Sequence, residues 1–238
     1  LISLLNLRGI HATAAGCSIE DTALRIDARG GLDEPEVAGQ SCHRMPLFGH
    51  EAALAIDSAP GESFHVTTHP YAATTPPDGA TAVLADVGDG SSEAIAKASL
   101  RGKIAVVWDM ALPWVAERVE AAGAVGMVNV CRNRLPHEMC MSNVWGTPEP
   151  GDLDQLPRIP IISTDEAGGR VLRAALTSQR DVRATVRASV WTGWARLLLP
   201  VARIRPTRPT EEFGLVGSHY DSWHKGATDT AATDALLL

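Results

Sequence analysis

Three residues close to the end of the 238-residue chain have the types and spacing to hold a metal. His219 and Asp221 stand two apart, and Asp229 follows the glycine turn Gly226-Ala227-Thr228. Residues two apart on a strand share a face. An imidazole can bind metal through one ring nitrogen while a carboxylate accepts a hydrogen bond from the other, which fixes the tautomer and raises the basicity of the ligand. A carboxylate at a helix start, where Asp229 stands, can bridge two cations. The same His-x-Asp spacing also serves to order a loop, and spacing alone favours that plainer use.

Other residues of chemical interest carry less. Cys17, Cys42, Cys131 and Cys140 lack the paired C-x2-C layout of structural zinc. Cys131, His137 and Cys140 leave a local disulfide or a metal site open, but free, partly buried thiols are the simpler expectation. His50-Glu51 and His137-Glu138 begin like H-E-x-x-H, but both lack the second histidine. His224-Lys225 reads as a solvated loop tip, and Glu211-Glu212 as an exposed turn. The scattered tryptophans read as packing residues, His69-Pro70-Tyr71 as a turn, and Gly88-Asp89-Gly90 and Gly168-Gly169 as turns or helix punctuation. No Gly-x-Ser-x-Gly elbow and no Gly-rich phosphate loop is present.

The elements that must position these residues are clearest in the middle of the chain. Residues 64–68 alternate and are β-branched, which predicts a strand, and 75–79 a turn. Residues 82–87, 104–108, 125–130 and 159–163 predict further strands; continuous apolar runs such as 104–108 suit burial on both faces. Helices are expected at 91–99, at 115–122 (ended by Gly123) and at 166–176, capped by Thr164 or Asp165. The strand–helix–strand order over 104–130 implies a parallel crossover. Residues 181–190 read as an outer strand, 20–26 as a short helix or strand, and 51–56 as a short helix. Pro200 and Pro206 weaken 199–206 as a ladder strand. The buried strand 213–218 then opens directly into His219, the place where open α/β sheets bind ligands.

Gly217-Ser218-His219-Tyr220-Asp221-Ser222-Trp223 followed by Gly226-Ala227-Thr228-Asp229 resembles the first metal-ligand segment of M28-type zinc exopeptidases. The ten-residue step from His219 to Asp229 is most similar to the branch that carries a protease-associated (PA) domain, which includes glutamate carboxypeptidase and the transferrin-receptor relatives. His69-Pro70-Tyr71 with Thr75-Pro76-Pro77, and residues 100–107, 120–127 and 159–163, resemble that PA domain. The resemblance covers about residues 63–238, with Thr230 where the family usually has Asn. It implies His219 as a ligand of one zinc, Asp229 as the carboxylate bridging two, and Asp221 as the residue orienting His219. It further implies hydrolysis of a peptide or acylated amino acid, cut at one end, by a water that two zinc ions activate. A Glu-Glu pair, an Asp and a His completing the family's site would lie beyond Leu238, so no turnover is expected from these residues alone.

The expected fold class is therefore α/β. Residues 1–62 form an N-terminal segment, part of the catalytic domain or a linker. Residues 63–190 form a PA domain, a β-rich α/β sandwich, and 191–238 begin a mixed-sheet catalytic domain. The chain starts without Met and stops on Ala235-Leu236-Leu237-Leu238, so both ends read as cut from a longer protein. Hydrophobic residues at 45% and charged residues at 21% argue against disorder. With 28 acidic against 21 basic residues, net −7, a general nucleic-acid-binding surface is not expected. No apolar run approaches the roughly 20 residues of a membrane span, and the N-terminus lacks the layout of a secretion signal. Compartment stays open, as does a homodimer. Two alternatives stand beside the peptidase: a non-catalytic PA-domain binding module of the receptor kind, and a glutaminyl-cyclase-like enzyme with a single zinc, against which the PA domain argues.

Overall fold

Four apolar runs in the middle of the chain become the centre of a mixed sheet. The computed structural model describes residues 22–26, 32–37, 41–142, 150–197, 201–204, 208 and 211–212. In chain order the strands are β1 (Thr22–Ile26), β2 (Leu32–Val37), β3 (Ser41–Ile56), β4 (Val66–Thr68), β5 (Ala80–Asp86), β6 (Ile104–Val107), β7 (Gly126–Val130), β8 (Ile161–Thr164), β9 (Arg183–Leu197) and β10 (Val201–Ile204). The helices are α1 (Ser92–Lys97), α2 (Pro113–Ala121) and α3 (Glu166–Ser178), with a 3-10 turn at Pro150–Gln155. The fold class is α/β, as expected.

Contacts divide the chain into two units. In the unit Cys42–Ala195 the strand order is β3-β9-β5-β6-β7-β8-β4. Neighbours from β5 to β8 are parallel, whereas β9 on β5 and β4 on β8 are antiparallel. Every residue of β6, β7 and β8 is buried, so these strands carry no polar–apolar alternation. Ala105, Val107, Met127 and Ile161 face one core with Ile95 of α1 and Val115, Ala116 and Val119 of α2. Ile104, Val106, Val128, Val130 and Ile162 face the other with Leu172 and Ala175 of α3. Burying each large aliphatic side chain contributes roughly 1.5–3 kcal/mol.

The helix boundaries follow local chemistry. The Ser91 hydroxyl accepts the Ala94 N–H and opens α1. Pro113 opens α2, whose end is turned by Gly123 at φ +86°. Of the two expected caps for α3 it is Asp165 that serves, its carboxylate accepting the Gly168 N–H at 2.9 Å.

Several expectations are corrected. Residues 51–56 end a strand, because their burial has period two: Ala52, Leu54 and Ile56 pack into the core, while Glu51, Ala53 and Ala55 face out. This strand forms one edge of the seven-stranded sheet, beside β9. Residues 183–190 do alternate, with Ala184, Val186 and Ala188 inward, but β9 lies between β3 and β5 and is not an outer strand. Gly168 and Gly169 are not punctuation. They lie inside α3 where it crosses the sheet, and a Cβ on Gly169 would stand 2.3 Å from Val130 Cγ1. Trp114 and Trp191 are 51% and 55% exposed and pack no core.

The other unit comprises Leu1–Ser41 and Arg196–Leu238, and its described strands form a three-stranded sheet in the order β10-β1-β2. Residues 22–26, left open between helix and strand, form β1. It pairs parallel with β10 and antiparallel with β2. The paired residues of β10 lie between Pro200 and Pro206, so neither proline has to donate to the ladder.

Candidate functional site

His219, Asp221 and Asp229 lie outside the described residues, as do His224 and Lys225. The remaining chemistry-bearing residues are placed. Glu211 and Glu212 are exposed, matching the reading of that pair as a solvent-facing turn. Glu51 sits on a strand, which removes the helical spacing that H-E-x-x-H requires. Cys131 is buried and Cys140 partly buried, and both are free thiols. The Cys131 sulfur accepts the His137 backbone N–H at 3.2 Å. Desolvation raises the Cys140 thiol above its ordinary range, opposed in part by a hydrogen bond from the Ser142 backbone. Among the described residues, no three His, Cys, Asp or Glu gather closely enough to hold a metal.

His69-Pro70-Tyr71 is a turn, closed by the Ala72 N–H on the His69 carbonyl at 3.1 Å. Its histidine also does structural work. The ring is fully buried, and Nδ1 accepts the Met139 N–H at 3.0 Å. Nε2 must then carry the proton, which it donates to the Ser163 hydroxyl at 2.9 Å. That bond ties β8 to the turn after β4. Ser163 stands in register with Asn129 of β7, which donates through Nδ2 to the Asp109 carbonyl at 3.3 Å. Asn129 Oδ1 is buried with no partner. No entrance from solvent is evident at this polar row, because His69, Asn129 and Ser163 all have zero exposure.

A more accessible cluster forms where the parallel strands end. Asp86 closes β5. Its Oδ1 accepts the Trp108 indole N–H at 2.8 Å and the Gly88 N–H at 2.9 Å. Its Oδ2 meets Arg173 Nη1 at 3.4 Å. The Arg173 guanidinium carbon stands 3.4 Å over the Trp108 ring, a cation–π stack that orients the charge. Beside the stack, a cleft of about 460 Å³ is lined by Trp108, Arg132, Glu166, Arg170 and Arg173 among others. Glu166 accepts from Arg170 at 3.0 Å. Sequence reasoning missed this cluster. Its members come from β5, from the residue after β6, from the loop after β7 and from α3, and no spacing along the chain links them.

No protein-family model matches the chain, and no curated protein matches it. Solved structures do. A zinc aminopeptidase from Bacillus subtilis is similar at 20% identity and a TM-score of 0.47, over 66% of this chain and 35% of its own. A Peptidase M28 precursor from Shewanella amazonensis is similar at 17% and 0.44, over 66% and 39%. A subtilisin-like protease from Pseudoalteromonas sp. AS-11 is similar at 20% and 0.36, over 61% and 35%. The match thus spans little more than a third of each of these proteins. All three TM-scores lie below 0.5, and no residue role is carried over from them. No helix among the described residues is long and apolar enough to cross a membrane.

Proposed function

We propose that the chain is the leading part of a zinc-dependent exopeptidase, with residues 63–190 as its PA domain and the catalytic domain beginning in 191–238. The observation that carries this reading is the segment Gly217-Ser218-His219-Tyr220-Asp221-Ser222-Trp223 with Gly226-Ala227-Thr228-Asp229, in which all three visible positions of the family's site are kept. The donor set suits the metal: an imidazole nitrogen and a carboxylate oxygen are ordinary zinc ligands. His219 and Asp229 would hold the metal. Asp221 would accept a hydrogen bond from the second ring nitrogen of His219 and keep the tautomer that leaves the first nitrogen free to ligate. Zinc bound there would supply an acidified water and a polarised carbonyl. The substrate class is a peptide or acylated amino acid.

The test is made on the complete reading frame, expressed and assayed on aminoacyl-p-nitroanilides and on peptides with a free carboxyl end. Chelation should abolish hydrolysis and added zinc should restore it. His219→Ala and Asp229→Asn should each lower kcat/KM by about 10³-fold or more, within what a metal-assisted step contributes. Asp221→Asn should cost about 10–100-fold. Hydrolysis that survives both chelation and His219→Ala would refute the proposal. So would metal-dependent turnover by the 238-residue chain alone, because the general base is assigned to residues beyond it.

A further inference from the structure

The cleft beside Trp108 lies where the topology of the Cys42–Ala195 unit calls for a ligand. β7 and β8 are parallel neighbours. The chain leaving β7 packs Met139, Cys140 and Met141 into the core of α1 and α2, whereas the chain leaving β8 forms α3 on the opposite face. Two adjacent parallel strands that send their connections to opposite faces open a crevice at their carboxyl ends, and open α/β sheets bind ligands in such crevices. The cleft of about 460 Å³ opens here, between Trp108, Arg132 and the first turns of α3.

Its charge is opposite to that of the chain. The whole sequence carries −7, yet three arginines line this cleft. Glu166 offsets Arg170, and Asp86 offsets Arg173 from the β5 side. Arg132 is exposed and forms no ion pair with another described residue, so among the described residues one positive charge at the cleft is uncompensated. The Arg173 guanidinium is already held over the Trp108 ring with one nitrogen on Asp86, so little ordering remains when its other N–H groups meet a ligand. Gly169 also lines the cleft, and its missing side chain lets α3 sit close enough to Val130 to bring Arg170 and Arg173 to the rim.

We propose that this crevice is a binding site for a carboxylate group, held by Arg132 together with the stacked Arg173 and with Arg170. A single uncompensated charge matches a monoanionic carboxylate better than a dianionic phosphate. The carboxylate can belong to a free organic acid or to an acidic residue of a peptide. The inference does not rest on the peptidase reading, since every residue it uses lies in Cys42–Ala195.

The test uses the full chain, titrated at constant ionic strength with benzoate, with the single-carboxylate peptide acetyl-Ala-Glu-Ala-amide, and with inorganic phosphate. Binding is followed through the indole N–H of Trp108 and the Nε–H signals of the arginines by NMR. Saturable shifts of these signals are expected with at least one carboxylate, weakened about tenfold by Arg132→Ala and more by Arg132→Glu, in line with the loss of one charge-assisted contact. Arg132 is exposed, so both variants should melt at the parent temperature. Binding of benzoate alone identifies a free organic acid, and binding of the peptide alone identifies an acidic peptide. Absence of saturable shifts with both carboxylates overturns the proposal. So does tighter binding of phosphate, or an affinity unchanged by Arg132→Ala.

Discussion

Gly169→Ala is expected to destabilise the protein, although it replaces glycine by the best helix former inside a helix. Propensity alone would favour the variant by about 1 kcal/mol. The opposing effect is contact. A Cβ at this position falls 2.3 Å from Val130 Cγ1, with Trp108 Cζ3 at 3.7 Å behind it. Carbon atoms rest at about 3.5–4.0 Å, so more than an ångström must be taken up. Val130 cannot supply it easily, since it is buried in β7 and its branched side chain is confined to few rotamers. Overpacking of this kind costs about 1–3 kcal/mol, and an overlap this deep belongs at the upper end. The expected net loss is about 2 kcal/mol. Val130→Ala by itself should also cost about 2 kcal/mol through lost burial. In the double variant the clashing methyl is gone and the helix propensity gain survives, so the double variant should lose only about 1 kcal/mol, and a coupling of about 3 kcal/mol, the relieved clash, is expected. Urea titrations followed by far-UV circular dichroism measure all four proteins, with equal slopes confirming that only stability has changed. Stability of Gly169→Ala equal to or above the parent, or strict additivity in the double variant, would refute the reasoning.

Two further outcomes follow from the buried polar groups. His69→Leu should destabilise by about 2–4 kcal/mol, because it strands both the Met139 N–H and the Ser163 hydroxyl; Ser163→Ala, which removes one bond, should cost about half as much in the same titration. Cys140 should alkylate more slowly at neutral pH than a free thiol, since burial holds it protonated. The protonated form is the one the fold favours. Its contribution to stability is therefore complete below the ordinary thiol range and declines as pH rises beyond it. A reaction rate at pH 7 equal to that of a model thiol would refute this.

The parallel strands β6 and β7 were legible because 104–108 and 125–130 are short, largely apolar runs without polar–apolar alternation, each entered just after a glycine, Gly102 and Gly123. Helix α3 was legible from the capping residues ahead of it, Thr164 and Asp165. Residues 51–56 were misread because Glu and Ala dominate them and favour a helix, whereas Ala52, Leu54 and Ile56 meet the sheet with a period of two. Gly168-Gly169 was misread because glycine usually interrupts a helix. Here the absence of a Cβ is what the contact with Thr164 and Val130 demands.

Local chemistry, then, settled much from the sequence alone: the α/β class, most of the parallel strands and the turn at His69-Pro70-Tyr71. These depend on residues near one another in the chain, where periodicity, turn residues and spacing act directly. Tertiary structure alone decided the interior position of β9 and the meeting of Asp86, Trp108 and Arg173. It also decided the tautomer of His69, which is set by a backbone N–H 70 residues away. Such contacts join positions far apart in sequence, and they exist only once the sheet has paired and α3 has closed over it.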